Sequence, residues 1–148
     1  PTMPLTIVGG PVSGELQAAK VRAEQAGGGP ITLTGRVSSV GPYLDSAKVF
    51  ACPMTHGAGS SLKTIEALAS GAPLVSSEVG ARGFELVAGT HYLGAESDEE
   101  QAEAIVHLLA DPALATQVAT AGRQAAEHHG WQALGERFCR LALACVGR

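Results

Sequence analysis

The sequence is poor in cysteine, in aromatic residues and in charge, and each shortage excludes a class of protein. Its three cysteines, Cys52, Cys139 and Cys145, form no C-x-x-C pair and lack zinc-site spacing, so we expect reduced thiols in a cytoplasmic protein. Aromatic residues make up 4% of the chain, and a net charge of -4 comes without any basic stripe. Nucleic acid is therefore not an expected partner.

Long apolar runs are also lacking, so the sequence predicts no transmembrane helix and no signal peptide. It still allows peripheral membrane association of a longer parent protein. With 148 residues, of which 45% are hydrophobic, the chain has apolar material for one core. We therefore expect residues 1–148 to form a single domain. We also expect this domain to be a fragment of a longer chain, because an apolar strand begins as early as Leu5.

Apolar runs that end in glycine or proline alternate with segments of helical periodicity. The runs predict strands at Leu5–Val8, Ile31–Thr34, Val49–Cys52, Ala72–Ser77 and His91–Leu93. Helices are predicted at Gly14–Gln25, at Pro42–Ala47, after Leu62, from the Ser97 and Glu100 capping box to Asp111, and twice in the tail around Gly130. This alternation predicts an α/β fold with a mainly parallel sheet and a helical C-terminal tail.

In the first helix, the spacing of the apolar residues predicts a buried stripe of Leu16, Ala19, Ala23 and Ala26. After the fourth strand, residues 78–83 are rich in glycine and are predicted to form an exit loop beside the central helix. Ligands are expected at the carboxyl ends of the strands, where these loops meet.

The central motif runs from Cys52 to Pro73 and predicts a strand, a glycine-rich loop and a helix. The loop contains Gly57 and Gly59, and the hydroxyls of Ser60 and Ser61 are candidates for the helix N-cap. Spacing of three and four residues predicts a core face made of Leu62, Ile65, Leu68 and Ala69.

Lys63 and Glu66 fall on a different face of this helix, three residues apart and near its N-terminal end. One interpretation is an exposed ion pair worth a few tenths of a kcal/mol. The other is an anion site, because the N–H groups and the dipole of a helix N-terminus attract phosphate. Lys63 would then neutralise a diphosphate while Glu66 accepted hydrogen bonds from the hydroxyls of a ribose.

Other candidates lie in the loops that follow strands. Gly9 and Gly10 form a tight turn that allows a ligand to approach, although the order of a dinucleotide fingerprint is missing. Arg36 would pair with a phosphate or stack on a base, or else lie exposed without a role. His56 would contact a ligand or only pack within its loop. Isolated aspartates at 45, 98 and 111 give no metal-ligand set.

The segment Leu62–Val75 resembles the donor-site helix of retaining GT-B glycosyltransferases of the group 1 type. The resemblance extends upstream to Gly35-Arg36-Val37 and Pro42-Tyr43-Leu44, and downstream to Gly80–Phe84 and Ala110–Pro112, so it covers nearly the whole chain. It implies a Rossmann-like three-layer domain, the C-terminal half of a GT-B fold, with an N-terminal acceptor domain missing as its partner.

The resemblance also implies a nucleotide diphosphate sugar as donor substrate, no cofactor and no metal. Lys63 and Glu66 would be the catalytic residues. The residues implied in binding the nucleotide sugar are Gly9, Gly10, Arg36, Val37, His56, Gly57, Ala58, Gly59, Ser60, Ser61, Leu62, Lys63 and Glu66. The fragment alone is expected to transfer no sugar, since half a cleft cannot position the acceptor.

Ala58 departs from the pattern of many relatives, which carry a glutamate there, separated by seven residues from the one that matches Glu66. Contacts to the hydroxyls of the donor sugar are therefore open. Two alternative functions remain at this point: a nucleotide-binding module without catalysis, and an epimerase of nucleotide sugars with a similar architecture.

Overall fold

The computed structural model describes residues 3–146, and the chain divides after Tyr43 into two compact units. In the first unit, strands β1 (Leu5–Ile7) and β2 (Ile31–Leu33) pair in parallel, and helix α1 (Gly14–Gln25) connects them in sequence. This βαβ arrangement confirms the predicted elements. Helix α2 (Gly41–Ser46) contains the boundary between the two units.

The predicted buried stripe of α1 is wrong. None of its residues is buried, Leu16 and Ala19 are only half-buried, and Ala23 and Ala26 are exposed. A parallel pair of three-residue strands offers a narrow surface, and alanine side chains are too short to extend over it. The helix nevertheless begins where predicted, after Ser13, whose hydroxyl accepts a hydrogen bond from the Leu16 N–H at 3.1 Å.

In the second unit, three parallel strands form a sheet in the order β3 (Phe50–Cys52), β4 (Leu74–Ser76) and β5 (Leu93–Gly94). The middle strand β4 is completely buried. The helices of this unit are α3 (Leu62–Ser70), α4 (Glu78–Ala81), α5 (Asp98–Ala110), α6 (Pro112–Glu127) and α7 (Trp131–Val146). The predicted α/β fold with parallel strands is confirmed.

The ends of several helices in this unit are set by local capping residues. Ser97 and Glu100 form the predicted capping box of α5. Asp111 ends that helix and caps α6, with both Ala113 and Leu114 N–H groups 3.0 Å from its Oδ1. Gly71 adopts φ 82° at the end of α3, a left-handed conformation that glycine adopts without strain.

The segment after β4 differs from its prediction as a loop. Residues 78–81 form the short helix α4, whose N-cap Ser77 accepts a hydrogen bond from the Gly80 N–H at 3.1 Å. Gly80 is buried, and a Cβ atom there would overlap Ser76 Oγ. The glycine therefore allows α4 to pack directly on the strand ends, a tertiary requirement that local sequence does not reveal.

Helix α7 has an apolar face that no other described element covers. Trp131 is 87% exposed and Phe138 72% exposed, and none of the residues from 131 to 146 is buried. Among the described residues no single helix is long and apolar enough to span a membrane. One bent pair, α5 with the segment Pro112–Val146, is long and apolar enough to span a membrane by length and composition alone.

Candidate functional site

The candidate site lies where β3 and β4 end. These two strands pair in parallel with Cys52 opposite Ser76, so the segments that leave them start side by side. The segment after β3, residues 53–61, leads to the N-terminus of α3, and the segment after β4 leads to α4. The carboxyl edge of a parallel sheet is where open α/β folds bind ligands.

The loop that carries the glycines is open to solvent. Residues 55–60 are all exposed. Gly59 has φ 80°, and a Cβ atom placed on it would meet nothing within 4 Å. A residue at this position therefore needs the left-handed conformation, and the space beside its backbone is free for a ligand to approach.

Ser61 occupies the N-cap position of α3 but makes no side-chain cap hydrogen bond, which corrects the predicted role of its hydroxyl. The side chain is 8% exposed and turned inward, with its Oγ 3.8 Å from Met54 Sδ and 3.0 Å from Thr64 Oγ1. The exposed Ser60 does not cap the helix either. The N–H groups of the first turn therefore receive no side-chain oxygen from the cap residue.

Thr64 is a residue that periodicity alone did not identify. It is 0% exposed, and its Oγ1 donates to the carbonyl oxygen of Gly80 at 2.6 Å. The buried face of α3 consists of Thr64, Ala67 and Leu68, with Ile65 half-buried. The predicted core face was therefore partly wrong, since Leu62 is 64% exposed and Ala69 is also exposed. The sequence does contain a signal for the burial of Thr64, because this residue lies one turn before Leu68.

Lys63 and Glu66 are both exposed on α3. Within the described part of the chain, the one ion pair joins Lys20 and Glu24 at 3.8 Å, so Lys63 and Glu66 do not pair with each other. The interpretation of these two residues as a surface ion pair is not what the structure shows. Their charged groups remain available to a ligand at the N-terminal end of the helix.

The segment after β4 lies against the glycine loop, as predicted for the exit beside the central helix. Ser77 Oγ donates to the Met54 carbonyl at 2.5 Å. Arg82 Nη2 donates to the Gly57 carbonyl, also at 2.5 Å. A Cβ atom on Gly83 would overlap Ser60 Oγ. The loop is thus in direct contact with a second segment.

His56 lies at the start of the loop with its ring exposed. Its Nδ1 is 2.5 Å from the hydroxyl oxygen of Thr55. If the hydroxyl donates to Nδ1, the neutral imidazole carries its proton on Nε2, which is then a hydrogen-bond donor. The structure gives His56 this one side-chain partner and leaves its predicted contact to a ligand as a prediction.

The remaining predicted residues lie together in the first unit. The Gly9 N–H donates to the Gly35 carbonyl at 3.1 Å. A Cβ atom on Gly10 would be 3.1 Å from the backbone nitrogen of Arg36. The loops after β1 and β2 are therefore in contact, with Arg36 exposed and Val37 half-buried. A side chain at position 10 would make a tight contact with the backbone of Arg36.

The pKa values of two ionisable groups, Tyr92 and Glu100, are shifted from their ordinary values. Burial, together with the nearby carboxylates of Glu78 and Glu96, raises the pKa of Tyr92 above its ordinary value. Hydrogen bonds from the backbone N–H groups of Glu96 and Ser97 lower the pKa of Glu100.

Among residues 3–146 there is no group of three or more His, Cys, Asp or Glu side chains that could hold a metal ion.

Parallel strands, flanking helices and ligand-accessible loops at the carboxyl edge define a Rossmann-like α/β protein of the kind that forms the C-terminal half of the GT-B fold. Residues 2–111 match the family model described as glycosyl transferases group 1, which is more than half of the chain. The chain belongs to the group 1 glycosyl transferase family. The resemblance of its motifs to group 1 glycosyl transferases is therefore confirmed.

Solved structures agree in fold. Sucrose-phosphate synthase from Thermosynechococcus elongatus is 24% identical with a TM-score of 0.76, over 97% of this chain and 38% of that chain. HepE from Anabaena, in complex with UDP, is 15% identical with a TM-score of 0.81, over 94% of this chain and 40% of that chain. A C-terminal domain of a group 1 family protein (LpcC) from Francisella tularensis is 20% identical with a TM-score of 0.66, over 78% of this chain and 63% of that chain. No curated protein matches significantly.

Proposed function

We propose that this chain is the donor-binding C-terminal domain of a retaining glycosyltransferase that uses a nucleotide diphosphate sugar. The observation that carries the proposal is the uncapped N-terminus of α3, with Lys63 in its first turn and the open glycine loop directly before it. Backbone N–H groups, the positive end of the helix dipole and an ammonium group together favour a bound diphosphate.

Lys63 would stabilise the departing diphosphate. Negative charge accumulates on this leaving group as the bond to the sugar breaks, so a fixed positive charge acts more strongly in the transition state than in the ground state. Because Lys63 and the helix terminus supply this charge, the proposed reaction uses no metal and no cofactor. Glu66, one turn further along the exposed surface, would accept hydrogen bonds from the ribose hydroxyls.

The glycine loop would lie along the sugar. Ala58 offers no carboxylate, so backbone groups of residues 57–59 and the Nε2–H of His56 would contact the sugar hydroxyls. In the first unit, Gly10 and Arg36 belong to one cluster of loops, and Arg36 is exposed as a base-facing or phosphate-facing residue must be. We propose these roles together with a cytoplasmic location.

Similar proteins support a nucleotide ligand. Two structures of Anabaena HepE are complexes with UDP and with UDP-glucose. This chain spans 38% of the sucrose-phosphate synthase chain and 40% of HepE. We therefore propose that the acceptor is bound by another domain of a longer protein, which would also carry any peripheral membrane contact.

The test is a thermal-shift panel in which residues 1–148 are mixed with UDP, GDP, ADP, CDP and their sugar conjugates. A ligand at one hundred times its Kd adds about 2.7 kcal/mol of stability, which shifts the melting temperature visibly. One base should give the largest shift. If no nucleoside diphosphate shifts the melting temperature, the donor-site proposal is contradicted.

Product analysis with the longer protein separates the alternatives. Transfer yields a glycoside with retained anomeric configuration and a nucleoside diphosphate. An epimerase yields an altered nucleotide sugar, and a module without catalysis yields neither product. Either of these two outcomes would overturn the assigned reaction while leaving nucleotide binding intact.

A further inference from the structure

We propose that Arg82 and Gly83 form a clamp that positions residues 57–60 of the glycine loop and so raises the affinity of the site for a diphosphate. This inference rests on the proposed function of the loop. Arg82 is here a positioning residue, because it acts on the ligand through the loop backbone and not through a contact of its own.

The first contact of the clamp is a hydrogen bond. Arg82 Nη2 donates to the Gly57 carbonyl at 2.5 Å, across 25 residues of sequence. This bond fixes the plane of the peptide that joins Gly57 and Ala58, because the carbonyl and the following N–H belong to one rigid unit. The direction of the Ala58 N–H is therefore set by a side chain that lies outside the loop.

The second contact is steric. Gly83 has φ 97°, and a Cβ atom there would overlap Ser60 Oγ and lie 3.2 Å from Ser60 Cα. The backbone at position 83 thus approaches the last residue of the loop so closely that no side chain fits between them. Together the two contacts fix the loop near each end, on either side of the open position Gly59.

The base of the clamp is rigid because it is attached to the core. Thr64 Oγ1 donates to the Gly80 carbonyl at 2.6 Å, and Ser77 Oγ donates to the Met54 carbonyl. Gly80 itself is buried, with Cys52 O within 2.8 Å of a hypothetical Cβ. Gly80 is therefore held against β3 and α3, and the segment that follows it directly carries the contacts to a loop that is otherwise exposed.

The geometry has a functional consequence for glycine-rich loops. A loop of exposed glycines has high conformational entropy, and binding must order it at a cost in affinity. A clamp that orders the loop before the ligand arrives removes part of that cost. Arg82 suits this role because its planar guanidinium fixes direction as well as distance, which a lysine ammonium does not.

The experiment compares Arg82→Ala, Arg82→Lys and the control Arg137→Ala, which removes an exposed arginine from α7. Isothermal titration calorimetry with UDP, or with whichever diphosphate binds the unmodified chain most tightly, should show affinity about five-fold lower for Arg82→Ala. Arg82→Lys should recover part of that loss. The control should bind as the unmodified chain does, and inorganic pyrophosphate should give the same order.

The readout that separates positioning from direct contact is taken without ligand. In 1H–15N spectra of the free protein, Arg82→Ala should shift the amide signals of residues 57–60 and raise the hydrogen-exchange rates of these amides. Lower affinity with an unchanged free loop would show that Arg82 touches the phosphate itself, which overturns the clamp. Unchanged affinity overturns it as well.

A second pair of variants tests the steric contact. Gly83→Ala and Gly89→Ala both place a side chain at positive φ, 97° and 78°, but only the first meets another residue, since nothing lies within 4 Å of a Cβ on Gly89. Both should lose stability from backbone strain, Gly83→Ala more because of its added overlap with Ser60, and only Gly83→Ala should weaken diphosphate binding. If the unmodified chain binds no diphosphate, the proposed function fails. If it binds and all clamp variants bind equally, the clamp alone fails.

Discussion

Helices α3 and α5 both belong to the second unit and both have a serine at the N-cap, but only the serine of α5 forms a capping hydrogen bond. Ser97 accepts a hydrogen bond from the Glu100 N–H at 3.1 Å, and Glu100 Oε2 accepts one from the Ser97 N–H at the same distance. Ser61 instead turns its hydroxyl into the protein and caps nothing. Helix α5 is capped by its own side chains, whereas the first turn of α3 receives no cap hydrogen bond from Ser61.

The charges of the two first turns differ in the same sense. Helix α5 begins with Asp98, Glu99 and Glu100, which the helix dipole stabilises. Helix α3 has no acidic residue in its first turn and has Lys63 there. A cation at a helix N-terminus is unfavourable by itself, and it becomes favourable only beside an anion. Departures of this kind from local rules are expected at functional sites.

The largest effect should follow from removing the cation at α3. Lys63→Ala should weaken nucleoside diphosphate binding by about 10- to 150-fold, the equivalent of a charged hydrogen bond worth about 1.5–3 kcal/mol. Thermal stability should not fall, because the lost charge opposed the dipole. Calorimetry checks the affinity, and Lys48→Ala, an exposed lysine before β3, is the matched control. Equal effects of both variants would remove Lys63 from the site.

Glu66 should distinguish ribose from phosphate. Glu66→Ala should weaken the free nucleoside and the nucleoside diphosphate by the same factor, about ten-fold. Lys63→Ala should leave nucleoside binding unchanged. Glu103→Ala, an exposed carboxylate on α5, serves as the control. A loss confined to the diphosphate in the Glu66 variant would contradict the ribose assignment.

The self-capped helix should respond in stability and not in binding. Ser97→Ala should lower the free energy of unfolding by about 1 kcal/mol through loss of the cap and leave nucleotide affinity unchanged. Ser61→Ala should lower it less, because Ser61 makes no cap hydrogen bond. Denaturant titration measures both variants. A larger loss for Ser61 would show that the inward hydroxyl has a structural role greater than that of a cap.

The smallest effect concerns pH. Since the folded protein lowers the pKa of Glu100, its ionised form stabilises the fold fully above the ordinary value of 4.5, and this stabilisation is lost as pH falls through the lowered pKa. Below pH 4.5, Glu100→Gln should therefore show a shallower decline in stability than the unmodified chain. Denaturant titrations from about pH 3 to about pH 6 test this, and identical slopes would contradict it.

Much of this architecture could be predicted from the sequence. Glycine and proline mark where elements end, and the three-residue spacing of Ser97 and Glu100 predicts a capping box because both partners are local. Tertiary contacts could not be predicted in the same way. The position of Thr64 one turn before Leu68 is a local signal for its burial, but the acceptor that satisfies its buried hydroxyl is Gly80, sixteen residues later. Periodicity favours apolar residues and so assigned that face of α3 to Leu62.

The candidate site divides along the same line. Position and charge at the start of α3 follow from the order of Gly57, Gly59, Lys63 and Glu66, which the sequence shows directly. The hydrogen bond from Arg82 to Gly57 depends on packing between segments that are 25 residues apart in sequence. The inward turn of Ser61 depends on the packing of its loop against the core in the same way. Sequence patterns of single elements carry no information on such contacts.

The central claim is that the first turn of α3 and Lys63 bind a diphosphate without the help of a metal. The most direct measurement is calorimetric titration of the chain with its preferred nucleoside diphosphate, in EDTA and again in excess Mg²⁺. The account predicts saturable binding in EDTA with a Kd close to that in Mg²⁺, and loss of this binding in Lys63→Ala. Binding that vanishes in EDTA and returns with Mg²⁺ would contradict it.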